Sequence, residues 1–574
     1  MLLARLLIIC LYLINISDET PKIKALFISP VKIPLALSAN FGELRSDHFH
    51  SGIDLKTQGV IGKEIVAAAS GYVYRISVAP GGFGKAIYIR HPSTGYSTVY
   101  AHLDRFAPGL EEYVKTRQYE EKSFQVNLFP PRDKFHFRQG EVIAFSGNTG
   151  SSTGPHLHYE IRKSENEIPV NPLLFEFGIE DNIAPVIEML AIYLLNSNTL
   201  INNQNRSRKI KVAGGHGNYY IPAENVIRIS GPAGFGIKSY DLLNNSYNKC
   251  APYTIELIID SIPVYRFRMD AFAFGETRYI NSHIDYETYI RERTHYQRTY
   301  ILPNDKLSVY QHTVNRGIFN FKDGNTHHVE IIVTDLHNNR SVLSFNVRSG
   351  DGNPQGPARR IDNESRVMPY GLGNKFATKD VSINIPQGAL YDTLYFTYRK
   401  STGTDGMFSG IHQIHNRFTP LHRSYALSIK PDRVPSGKES KLLIIQTGDG
   451  NKRTPLNSTW ENGYLHAQAS TFGNFFVGID TIPPVITASG LSQGINLSGR
   501  KEMRIRISDN LSGIKSYEPV IDGLWALFEY DQKNNVLIYK FDEERISKGT
   551  EHNLTLKVTD NRDNYSFFTC NFFW

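Results

Sequence analysis

Cysteine is nearly absent from the chain: Cys10, Cys250 and Cys570 are the only three in 574 residues. Cys10 sits in an apolar leader, and the other two fall in stretches expected to belong to different domains, so a disulfide framework and a cysteine-type zinc site are both excluded. Long hydrophobic runs are scarce too. The opening MLLARLLIICLYLINIS is shorter than a bilayer crossing needs and carries one early positive charge, Arg5, so residues 1–20 read as a signal peptide. A short N-terminal anchor is the other reading of that leader, while Leu-Ile-Ile before Cys10 makes a poor lipidation signal. No transmembrane span is expected in the mature chain. Charge of one sign is also lacking: 63 Lys+Arg against 56 Asp+Glu leaves +7, scattered without a basic stripe, which argues against a nucleic-acid partner. No nucleotide-binding motif occurs.

Aromatics are plentiful, with 32 Tyr and 32 Phe, and a chain of 574 residues is too long for one core. The expectation is an all-β protein. From Pro30 to Pro172, short alternating runs such as KAIYIRHP, YSTVYAHL and HLHYEIR lie between Gly, Pro and Asn turns, which predicts an antiparallel sheet, the core of a domain over residues 25–175. An insertion, Pro108–Gln139, interrupts it, opening on a predicted helix (PGLEEYVKTRQYEEKS) and expected to border the histidine motifs on either side of it. Beyond it the chain echoes itself. DNIAPVI at Asp181 returns as DTIPPVI at Asp480, and VTD-x-x-x-N closes both repeats, after His327 and after His552. These features resemble bacterial immunoglobulin-like modules. They predict about three β-sandwiches, at 180–349 (enlarged), 350–479 and 480–574, with a linker beginning at Arg348.

Three histidine motifs carry the chemistry: His50-Ser-Gly-Ile-Asp54, the YAHL that contains His102, and GNTGSSTGPHLHYEIR with His156 and His158. Two imidazoles and a carboxylate suffice for a catalytic zinc site, which keeps three protein ligands and an open position. In a strand, His156 and His158 project from the same face. Each motif alone is unspecific, but the three in this order within one compact β region are not.

Together, FGELRSDHFHSGIDL, YAHL and GNTGSSTGPHLHYEIR resemble the lysostaphin-type, or LytM-like, zinc endopeptidases over residues 38–172. The resemblance implies a small antiparallel β fold with a groove, and at its floor one Zn2+ per chain held by His50, Asp54 and His158. It places His102 and His156 beside the activated water as catalytic groups, one as base and the other stabilising the oxyanion. His48 falls outside the pattern as a supporting or structural residue, and Arg45 is expected to line the groove. The implied reaction is hydrolysis of peptide cross-links in peptidoglycan, with stem peptides as substrate. The leader and the low cysteine content place the protein outside the cytoplasm, in the periplasm or envelope of a Gram-negative cell. The C-terminal modules would space or present the enzyme, binding glycan, another envelope protein or the enzyme domain itself. The alternative function is a non-catalytic envelope protein that activates or scaffolds other wall hydrolases; binding to sacculi without release of peptide would distinguish it.

Overall fold

The computed structural model describes residues 26–223, 225–244, 246–350 and 365–574. The leader and most of the expected linker lie outside the described residues. No described helix is long and apolar enough to cross a membrane.

The alternating runs of the first domain become eleven strands: β1 Leu37–Ala39, β2 Ile53–Lys56, β3 Glu64–Val66, β4 Gly71–Val78, β5 Lys85–His91, β6 Tyr96–Phe106, β7 Val126–Leu128, β8 His136–Phe137, β9 Val142–Ser146, β10 His156–Lys163 and β11 Pro169–Val170. The main path runs β1-β2-β10-β6-β5-β4-β7, antiparallel at each step. Side-chain alternation divides this sheet into two faces. Leu157, Tyr159 and Ile161 of β10 join Tyr100, Ile76 and Ile89 in the core beneath it. The other face bears His158 and Glu160, with Ala101, Val99 and Tyr88 as neighbours.

The predicted helix of the insertion is α1, Pro108–Glu121, entered through proline in its first turn and ended by Lys122 in the left-handed region. Its Leu110 and Val114 pack into the core beneath the sheet, and β7 pairs with β4, with β6, β5 and β4 between it and β10. The insertion therefore does not border the histidines, as its position in the sequence suggested. Chain neighbours on either side of a crossover need not be neighbours in space.

Beyond the first domain the chain is again β-rich. Residues 186–349 form two layers that share one long strand, Ile227–Leu242. Its start runs parallel to Val347–Ser349, and its later part pairs antiparallel with Val186–Leu194. The switch falls at Gly231–Pro232, where Gly231 has φ +105° and proline withholds an N–H from the ladder. Two five-stranded sheets follow between Asn374 and Ile479, then a four-stranded and a five-stranded sheet between Val485 and Phe573. The sequence echo is a structural repeat. Val186 pairs with Tyr240 as Val485 pairs with Ser508, and Ser341 Oγ donates to Pro185 O (2.5 Å) as Ser566 Oγ does to Pro484 O (2.6 Å).

These later parts of the chain clamp the first domain from two sides. Phe41 and Phe49, from the segment between β1 and β2, are buried in the core of the 186–349 region, with Phe272 at 5.1 and 5.6 Å between ring centroids. Phe49 N donates to Thr277 Oγ1 (2.8 Å), and the Asn40 side chain exchanges two 2.8 Å hydrogen bonds with the Ala251 backbone. On the other side, the C-terminal sheets reach back to α1 through Lys115–Asp542 (2.5 Å) and through Tyr119 packed edge-on to Trp525.

Candidate active site

Strand register brings the first and third motifs together. On the antiparallel pair β2–β10, Asp54 lies directly opposite His158, so both project from the same face. The close approach depends on Gly52, where a Cβ would lie 2.3 Å from Tyr159 O. His50 reaches the same point from the loop before β2.

The hydrogen-bond partners fix the tautomers. His50 Nδ1 donates to Asn40 O (2.8 Å), which leaves Nε2 as a lone pair. His158 Nε2 donates to Glu160 Oε1 (3.0 Å), which leaves Nδ1 bare. These two bare nitrogens stand 3.0 Å apart, and they lie 3.1 and 2.9 Å from Asp54 Oδ1. Three atoms able to act as metal ligands have thus converged on one point. Ligand atoms around a tetrahedral ion with bonds of about 2.0–2.1 Å lie about 3.3–3.4 Å apart, so the trio closely fits one face of such a shell. Among the described residues it is one of three side-chain groups able to hold a metal ion.

The electrostatics show how strongly the pocket favours positive charge. Burial opposes a charge on His158, yet its hydrogen bonds to Asp54 and Glu160 push the ring up to about 9, so near pH 7 Nδ1 binds a proton at the point where a cation would take its place. Burial would also raise the Asp54 carboxyl, but the charge of His50 and the hydrogen bonds of three histidines hold it far below the usual carboxylate range. The pocket favours positive charge. Behind it, Glu160 is fully buried, takes a 2.5 Å hydrogen bond from Ser51 Oγ, and is paired with Arg162 at 2.5 Å. Burial works against its charge, but Arg162 and His158 bring Glu160 down to about 2.

Two more imidazoles face this point. His156 Nδ1 donates to Gly154 O (2.8 Å), and its bare Nε2 lies 3.5 Å from Asp54 Oδ1. His102 Nδ1 donates to Thr149 O (2.9 Å), and its ring centroid lies 4.8 Å from that of His156. Burial, then the charges of His158 and His156, lower His102 to about 3, so it is neutral near pH 7. In that tautomer its Nε2 accepts a proton and offers none, so an oxyanion-donor role requires its protonated form.

His102 reaches the site through a bulge. Strict alternation would send it to the core face with Tyr100. Lys85 pairs with Leu103 and Ile87 with Tyr100, so Ala101 and His102 together oppose the single residue Ala86. His102 takes φ +60°, and the extra residue turns its ring to the same face as His158.

All five expected residues, His50, Asp54, His102, His156 and His158, meet at this one point. His48 does not; it is exposed and pairs with Asp47 (2.9 Å). Arg45 stands 3.5 Å from Asp54 Oδ2 and from Glu43 Oε2. Glu160, Ser51 and Asn40 are the residues that sequence reasoning missed. For Glu160 the signal was available: it follows His158 at the same two-residue interval that separates His156 from His158.

The rim is closed on one side by the C-terminal sheets. Lys533 Nζ donates to Asn148 O and to Ser152 O (2.9 Å), both in the glycine-rich loop before His156. Glu529 pairs with buried Lys85 (3.1 Å) at the end of the loop that carries Phe83, whose ring lies 5.0 Å from that of His158.

Comparison with known proteins agrees with this geometry. The pattern of peptidase family M23 matches residues 48–119 and 132–172, breaking off inside the insertion, and a Zu5-like domain pattern matches residues 365–480. A DD-carboxypeptidase/endopeptidase Mpg of Neisseria meningitidis is 38% identical over 130 residues, 23% of this chain and 23% of that protein, so the likeness covers under a quarter of either length. Lipoprotein NlpD of Yersinia enterocolitica is 32% identical over 117 residues, 20% of this chain and 93% of that protein. The catalytic domain of lysostaphin from Staphylococcus simulans aligns at 21% identity and TM-score 0.19, over 25% of this chain and 91% of that one. Through its N-terminal domain the chain belongs to peptidase family M23, the lysostaphin-type peptidases that its histidine motifs resemble.

Proposed function

We propose that the protein is an exported zinc endopeptidase that hydrolyses peptide cross-links of peptidoglycan. The observation that carries the reading is the meeting of two imidazole nitrogens and a carboxylate oxygen within 3.1 Å of one another, flanked by two further imidazoles. His50, Asp54 and His158 would hold the ion; two nitrogens and one oxygen are a donor set that suits zinc. Bound there, zinc would supply the Lewis acidity that activates water and polarises the scissile carbonyl. The chain's own groups do the rest. His156, held by Gly154 O, presents Nε2 as proton acceptor and then returns the proton to the leaving amine. His102 presents Nε2 beside it; it would stabilise negative charge on the carbonyl oxygen where it, and not His156, takes the proton released by the water, the two imidazoles then exchanging the roles of base and oxyanion donor. Glu160 and Asn40 O keep both ligand rings in the tautomers that leave the required lone pairs free.

The substrate class draws support from relatives named as DD-carboxypeptidase/endopeptidase and as peptidoglycan DD-endopeptidase, the latter from Vibrio cholerae. Peptidoglycan lies outside the cytoplasmic membrane, which agrees with reading residues 1–20 as an export signal, and the likeness to envelope proteins of Gram-negative bacteria supports a periplasmic location. The test is incubation of the full chain with purified sacculi, followed by mass spectrometry of the released fragments. New peptide termini are expected with wild type and none with Asp54→Asn or after chelation. Binding to sacculi with no release from a protein that carries its metal would refute the proposal in favour of a non-catalytic role.

A further inference from the structure

The internal repeat places three aspartates in equivalent positions twice. Asp181 and Asp480 open the repeats five residues before the paired Val186 and Val485. Asp241 and Asp509 each follow the partner of that valine, Tyr240 and Ser508. Asp335 and Asp560 begin the closing D-x-x-x-N turns, where each accepts from the backbone N–H two and four residues on and from an asparagine side chain at 2.7 Å.

The two clusters differ in what balances their charge. In the C-terminal one, the residue two after the turn aspartate is Arg562, close enough for its guanidinium to interact with Asp480 and Asp560, although Asp509 Oδ1 has no hydrogen-bond partner and these three aspartates also lie close enough together to hold an ion. The equivalent residue in the first is His337, whose Nε2 donates to Ile179 O (2.8 Å), leaving Nδ1 as a lone pair. Oδ1 of Asp241, a residue only 3% exposed, has no hydrogen-bond partner, and the Asp181 and Asp335 carboxyls lie close enough to interact. Both charged groups that act on Asp241 are further carboxylates, Asp335 and Asp181. Ligand atoms of Asp181, Asp335 and His337 lie within 4.8 Å of one another. A cavity of about 20 Å³, room for one water or ion, is lined by Asp241 and His337 on one side and by Asn40, Phe41 and Asn171 of the first domain on the other. A buried carboxylate without a counter-charge is strongly unfavourable; Asp241 lines this gap of ionic size together with His337, and His337 also belongs to the group formed with Asp181 and Asp335.

We propose that Asp181, Asp241, Asp335 and His337 hold a divalent cation of the Ca2+ or Mn2+ class at the junction between the peptidase domain and the 186–349 region. The carboxylate-rich donor set with one imidazole favours hard, oxygen-preferring ions. The ion would abut Asn40, whose carbonyl orients His50 and whose side chain binds Ala251. It would thus pin the segment that carries the first histidine motif.

The test is thermal melting of the full-length, zinc-loaded protein, first desalted and then titrated separately with Ca2+ and Mn2+. At a hundredfold excess over Kd, a rise of about 5 °C or more in melting temperature is expected for wild type with at least one of them. Asp241→Asn and Asp181→Asn should each shift by under about 1 °C, and either variant suffices if the other does not fold. Asp509→Asn, in the cluster where Arg562 stands near Asp480 and Asp560, should respond as wild type does. Absence of a shift with both ions, an equal shift in Asp241→Asn, or loss of the shift in Asp509→Asn would each overturn the assignment. So would a stability that follows pH alone, since a proton would then be what neutralises the cluster. The readout does not depend on hydrolysis, so it stands or falls separately from the zinc site.

Discussion

Replacing Glu160 with glutamine separates the two things that this buried carboxylate does. Its Oε1 holds the Nε2–H of His158, and its Oε2 pairs with Arg162, whose side chain is 7% exposed. The amide keeps the size and loses the charge. Arg162 is then left with Glu167 at 3.6 Å and the faces of Phe274 and Tyr88 at 4.7 and 5.5 Å. Removing one partner of a buried pair costs about 3–5 kcal/mol, and the lower end applies because Glu167 and the two rings take up part of the charge. His158 meanwhile loses the anion that keeps its proton on Nε2. Any population with the proton on Nδ1 has a hydrogen where the ion belongs, and the loss of such outer partners weakens metal binding by about 10–100-fold, or about 1.4–2.8 kcal/mol. Urea denaturation reads the first effect, and zinc competition against a chromogenic chelator reads the second. Adding Arg162→Met to Glu160→Gln removes the unpaired cation and should restore most of the stability, while the zinc affinity stays low. A single variant that binds zinc within twofold of wild type refutes the tautomer argument. A double variant that recovers affinity shows that Glu160 acts through Arg162 instead of through His158.

Other substitutions probe the remaining parts. His102→Ala and His156→Ala should each retain one zinc by metal analysis yet lose at least about 100-fold in kcat/KM on a soluble muropeptide. His102→Gly should be equally inactive but about 1 kcal/mol more stable than His102→Ala in urea, because only the left-handed backbone at φ +60° is relieved. Burial, then Arg298, lowers His283 to about 3 in the 186–349 region. The unfolded chain therefore binds the extra proton between pH 6.5 and 3, and stability falls on acidification through that window by up to about 1.4 kcal/mol per pH unit. His283→Asn should remove that much slope from urea midpoints measured between pH 7 and 4, and an unchanged slope would count against it. Glu529→Gln leaves buried Lys85 without its partner and should speed hydrogen exchange in residues 147–155; unaltered protection there would mean that the rim contact is not maintained in solution.

Alternation made part of the site legible. HLHYEIR sets His156, His158, Glu160 and Arg162 on one side of a strand, and the first two were read from that period, although Glu160 was not. Asp54 needed the pairing of β2 with β10, and register over four residues is not written in either strand alone. His102 ran against the pattern, because the bulge opposite Ala86 reverses the side that strict alternation assigns to it. The insertion misled for a related reason: position between two motifs along the chain was taken as closeness in space, whereas β7 pairs at the far side of the sheet. The repeat of Asp181 and Asp480 was visible as words in the sequence. That Arg562 balances one copy where His337 stands in the other emerges only when the two are overlaid strand by strand.

The contacts least visible in the sequence are the ones that hold the site in shape. A metal centre tolerates displacements of about half an ångström, so its ligands need rigid support. His50 stands in the segment between β1 and β2, and the two aromatics of that segment, Phe41 and Phe49, find their core in the 186–349 region and not in their own sheet. The loop that leads into His156 is held at two carbonyls by Lys533, which lies 385 and 381 residues further along. Each flank of the catalytic point is therefore finished by a different distant part of the chain. On this arrangement, loosening either contact would disturb the histidines before it unfolded the sheet that carries them.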